Sequence, residues 1–166
     1  MGLLQIIRKT LEWSGALAAM VFLPALILVS TVDITGRRIF SYSATMLQEL
    51  AWHFFFACVM FAIGYTYVKD RHVRVDIVRE RLKPHLKARL ERLLLVTLVL
   101  PLCLVLFWFG ADMAWLSFMQ DEGSRAALGL SARWIVKSAL PVGALLLFLA
   151  GIYRLVYPVS HGRVEE

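Results

Sequence analysis

The chain has only two cysteines, Cys58 and Cys103, which form no CxxC motif and no disulfide framework; the sequence reads both as small buried residues near the middle of a membrane. That excludes quinone-linked thiol oxidation, which needs a reactive pair. Charge is missing from four long stretches, and within them His53 is the titratable group set well inside. Haem held between helices would want a second histidine at depth, but His72, His85 and His161 fall in loops or the tail. A small proton-coupled exporter would want a carboxylate within a span, yet the first run has none. There is no phosphate-binding loop, no nucleophile with its base and no metal cluster, so the sequence predicts neither catalysis nor a cofactor. A lone histidine on a Phe-rich helix reads first as a hydrogen-bonded packing residue, with ligand or proton relay as the alternative.

Apolar residues dominate what is present: 60% of 166 residues are hydrophobic and the mean hydropathy is +0.69, more than a soluble domain of this size holds. Four apolar runs predict an all-α integral membrane protein with four transmembrane helices over about 13–32, 50–68, 93–118 and 134–157. The first, Trp13 to Val32, is 20 residues, roughly 30 Å of helix and enough for one crossing. It is longer than a signal-peptide core and lacks a clear small-residue cleavage site, so an uncleaved helix is expected. Pro24 should kink it, which neighbouring helices tolerate. A polar interruption, Asp33 to Gln48, precedes the second run. Gln120 to Arg133 precedes the fourth, whose flanking Lys137 and Arg154 have side chains long enough to reach headgroups.

Between the second and third runs, residues 69–92 hold nine of the 18 Lys and Arg against four acids. Such a segment cannot cross a bilayer, and basic residues favour the cytoplasmic side. Four spans put both termini and this loop on one side, where Lys and Arg number 13; the other side has Arg37, Arg38, Arg125, Arg133 and Lys137. Both termini are expected to be cytoplasmic. The net charge of +6 is thereby assigned to membrane orientation and anionic headgroups, with Arg74, Arg79, Arg81 and Lys83 as headgroup contacts, and not to nucleic acid. Val78, Leu82, Leu86, Leu90 and Leu94 recur every four residues, predicting an amphipathic interfacial segment that restarts at Pro84. Counting outward from the loop places Glu49 and Asp112 together at the far interface near Arg37 and Arg38, where structural pairing is the expected role. Asp33 and Arg37 have the spacing and order of a helical ion pair.

Several segments then resemble a known family. They are Asp33-Ile34-Thr35-Gly36-Arg37-Arg38-Ile39-Phe40, Glu49, Arg71-His72-Val73-Arg74-Val75-Asp76, Ala127-Leu128-Gly129-Leu130 with Trp134, and Leu140-Pro141-Val142-Gly143. Their order and spacing resemble the small, DctQ-like membrane subunit of tripartite ATP-independent periplasmic (TRAP) transporters over roughly residues 12 to 155. Where family members often carry a proline just before the tryptophan of the fourth helix, this chain has Ser131-Ala132-Arg133. The resemblance implies a non-catalytic subunit of the bacterial inner membrane. Its partners would be a large membrane subunit, a periplasmic binding protein that delivers an organic acid, and membrane phospholipid. The large subunit would carry the substrate inward on a sodium gradient while this chain braces its scaffold. Arg37, Arg38, Glu49, Arg125 and Arg133 would lie where the binding protein docks. The competing readings are a stand-alone homodimeric small transporter and a membrane oxidoreductase.

Overall fold

In a bilayer every backbone N–H and C=O must be satisfied internally, and an apolar chain does so most simply as helix. The computed structural model describes residues 2–40, 45–70, 84–126 and 128–157, and among them every regular element is helical. The order is α1 (Leu3–Leu17), a π-helical turn (Ala18–Phe22), α2 (Leu23–Phe40), α3 (Thr45–Val68), α4 (Pro84–Leu94), a second π-helical turn (Leu95–Val99), α5 (Leu100–Met119) and α6 (Trp134–Val156). Four continuous helices are long and apolar enough to cross a membrane: Leu3–Ile39, Thr45–Val68, Leu86–Met119 and Trp134–Val156.

Two of these helices outrun the apolar segments that define them. The first has 37 residues, about 55 Å at about 1.5 Å per residue, against a hydrocarbon core of about 30 Å. It continues through Asp33 and Arg37, part of the expected polar interruption, because the backbone there stays helical and keeps its hydrogen bonds within the helix as far as Phe40. A proline inside a helix lacks the N–H and presses on the carbonyl four residues back. Here the carbonyls concerned, those of Met20 and Thr97, lie inside the two π-helical turns, which precede Pro24 and Pro101. The wider turn takes up the clash without ending the helix. Helix α4 begins at Pro84, where the missing N–H costs nothing. The expected turn near Asp76 and the four headgroup candidates Arg74, Arg79, Arg81 and Lys83 lie outside the described residues.

Helices α3 and α6 run parallel through the middle of the bundle. The first span packs antiparallel along α3, with α1 also reaching α6, and α5 packs antiparallel on α6. Ile7 and Leu11 of α1 are buried with Leu146 and Ala150 of α6, and Phe61, Tyr67 and Val68 of α3 close around them. Small residues let the central backbones approach, the packing mode that serves where lipid provides no hydrophobic drive. A Cβ on Gly64 would stand 2.8 Å from both Leu11 Cδ2 and the Leu146 carbonyl oxygen, and one on Gly143 would stand 3.0 Å from the Met60 carbonyl oxygen. The Cys58 thiol donates to the Ala18 carbonyl at 3.6 Å, and Cys103 is buried on α5.

Candidate interaction site

Helix α3 is tied down at both ends by ionised side chains. At its C-terminal end, the last carbonyls of a helix have no partner within it. Arg154 of α6 supplies one: Nη2 and Nε donate to the Tyr67 carbonyl at 2.8 and 3.2 Å, and Nη2 also donates to Asp70 Oδ1 at 3.0 Å. The guanidinium lies 5.8 Å from the Tyr67 ring centroid. Only 11% of the Arg154 side chain is exposed, so it folds back on the protein and does not reach outward to headgroups as its position at the helix end suggests.

At the opposite end, Glu49 in the first turns of α3 meets the connection between α5 and α6. The Ser124 hydroxyl donates to Oε1, and the Leu130 N–H donates to Oε2 at 2.7 Å. A Cβ at Gly129 would collide with Ser124, 2.3 Å from its Cβ and Oγ, and would lie 3.0 Å from Glu49 Oε2. The glycine of the Ala127-Leu128-Gly129-Leu130 motif is therefore required by the clamp. The expected pairing of Glu49 is present, but its partner is this connection, whereas Asp112 lies exposed on α5. One turn on, a carbonyl can only accept, so the close approach of His53 Nδ1 to the Glu49 carbonyl makes Nδ1–H the donor. His53 is thus hydrogen-bonded within its own helix, as the packing reading expects.

The connection is folded on itself. The Ser124 N–H donates to the Leu130 carbonyl at 2.9 Å, Gly129 N–H to the Ala126 carbonyl at 3.0 Å, Glu122 N–H to the Ser117 carbonyl at 3.0 Å, and Arg133 N–H to the Glu122 carbonyl at 3.0 Å. A proline in place of Arg133 would lack that last bond. Lys137 donates to Glu122 Oε2, and this ammonium, more than any other group, holds the Glu122 carboxyl below the usual carboxylate range. Asp121, Leu128 and Ala132 have positive φ, at 47°, 68° and 59°. Arg125 is exposed, and Arg133, half-buried, adds positive potential at both Glu49 and Glu122.

Arg37 and Arg38 end the first span and are exposed. Arg37 Nη2 donates to Asp33 Oδ2, the pair that the spacing predicts. Asp33 is only 5% exposed, and its Oδ1 makes no hydrogen bond among the described residues. Among those residues no group of three or more His, Cys, Asp or Glu could hold a metal ion.

A bundle of four membrane-length helices, capped at one end by a carboxylate-clamped connection, is the setting in which the comparison with known families decides. The model of the tripartite ATP-independent periplasmic transporters, DctQ component, matches residues 26–161. The chain belongs to that family. No curated protein matches it. A DctQ component is a transporter subunit and not an enzyme, and membership implies a large membrane subunit and a binding protein as partners. It also makes the four long apolar helices membrane spans. Residues 26–161 take in the Asp33–Arg37 pair, the Glu49 clamp and the Arg154 tie, so each lies inside the matched region.

Proposed function

We propose that this DctQ component braces the scaffold of its large membrane subunit while that subunit imports an organic acid, delivered by a periplasmic binding protein and driven by a sodium gradient. The observation carrying the reading is the layered arrangement of the helices. Helices α3 and α6 are locked together, and the outer elements leave long apolar faces open, among them Ile27, Leu28 and Val32 on α2 and Trp108, Phe109 and Trp115 on α5. A rigid unit with apolar flanks suits lateral attachment to another membrane protein, with phospholipid filling the seam. Both termini are cytoplasmic in this reading, and the membrane is the bacterial inner membrane, as the excess of basic residues on the terminal side supports. The clamped connection then faces the periplasm. Arg37, Arg38, Arg125 and Arg133 offer it contacts for the binding protein, and Glu49 contributes by holding the connection in place.

Reconstitution tests the role. The large subunit alone in proteoliposomes should take up substrate much more slowly than with this chain added, at equal amounts of incorporated large subunit; full uptake without this chain would sink the brace. Co-purification should recover the large subunit, whereas recovery of further copies of this chain alone would favour a homodimeric transporter.

A further inference from the structure

Leu128 is 84% exposed, more than any other large apolar side chain among the described residues. Exposed apolar residues on the spans suit lipid or a membrane partner, but Leu128 lies in the connection between α5 and α6, where Asp121, Arg125, Ala126 and Ser131 are exposed as well. Its backbone is also in the left-handed region, with φ at 68°. A branched side chain rarely adopts that conformation, which persists only where surrounding structure imposes it. The surroundings here are specific. Glu49 grips Ser124 on one side of the leucine and the Leu130 N–H on the other, and the Gly129 N–H bonds back to the Ala126 carbonyl. The chain thus maintains a strained backbone in order to hold outward a side chain that gains nothing from its own core.

We propose that Leu128 is an apolar anchor for the soluble binding protein of this transporter, entering an apolar pocket whose acidic rim meets Arg125. This rests on the reading of the clamped connection as the face that meets that protein. Asp121, Arg125 and Ser131, exposed in the same connection, suit an aqueous setting, and the partner that fits it arrives from the aqueous phase and not from within the bilayer. A single anchor side chain held rigidly in a ring of polar contacts is the arrangement that concentrates binding energy.

The test is titration of the binding protein onto the complex of this chain with its large subunit in phospholipid nanodiscs. Leu128→Ser should weaken binding about thirtyfold or more, the range of an interface hot spot. Leu128→Met should stay within about threefold of wild type, as volume-conserving apolar exchanges do. Leu128→Gly removes the backbone strain together with the side chain and should bind as poorly as Leu128→Ser; binding at the wild-type level by either would overturn the anchor. Loss of the large subunit from Leu128→Ser would also overturn it, placing the leucine in the membrane interface. If the wild-type complex bound none of the binding protein, the reading of this face would fail, which is distinct from wild-type binding that is indifferent to residue 128.

Discussion

At Gly64 one hydrogen atom separates three helices from collision. Gly64→Ala would press a methyl group onto Leu11 and the Leu146 carbonyl, and overpacking of this kind costs roughly 1–3 kcal/mol. A lower melting temperature in detergent is expected, and an unchanged one would mean that α3 and α6 can part at little cost. Arg154→Met keeps the length and loses the guanidinium's bonds to the Tyr67 carbonyl and Asp70; hydrogen bonds from a charged donor contribute roughly 1.5–3 kcal/mol, a loss read in the same melt. The Glu122–Lys137 pair gives a prediction in pH. The carboxyl's value is lowered in the folded protein, so its contribution is complete above the ordinary carboxylate value and fades as pH falls through the lowered one. Glu122→Gln should therefore melt below wild type at neutral pH, with the gap closing in acid. An equal gap at both would remove the ion pair from the account.

Among the elements, the four spans and the helix start at Pro84 were legible because hydropathy and proline geometry act locally. The Asp33–Arg37 pair was legible for the same reason: four residues along a helix fix the distance. Lengths were harder to read. Hydropathy reports where lipid is tolerated, whereas a helix ends where its hydrogen bonding ends, so the first span runs past Asp33 to Phe40. The clamp was half legible. Glu49 at a helix start announces a group needing a partner, but Ser124 and Leu130 lie 75 and 81 residues away, and no local rule chooses them over Arg37. Gly129 was the available signal, since a glycine in an ordered connection asks what comes close to it. Gly129→Ala should expel Ser124 from Glu49 and speed amide exchange at Leu130, and protection equal to wild type would show that the connection is held some other way.

Across the whole molecule, the family resemblance supplied what composition could not, because a non-catalytic subunit carries no motif of its own chemistry. Its parts are legible only as an ordered set. The orientation predicted from basic residues is checked with cysteines introduced near each terminus and at Arg125, in a chain whose Cys58 and Cys103 are replaced. A membrane-impermeant thiol reagent added to intact cells should label the Arg125 position and spare both termini. Labelling at a terminus would invert the molecule and carry the docking proposal with it.

The fastening of α3 at both ends has a mechanical corollary. Two parallel helices joined at one end can still splay apart at the other, but with Glu49 holding one end and Arg154 the other, opening either end strains a tether. A push delivered at the connection therefore travels the length of the bundle as displacement of a single strut.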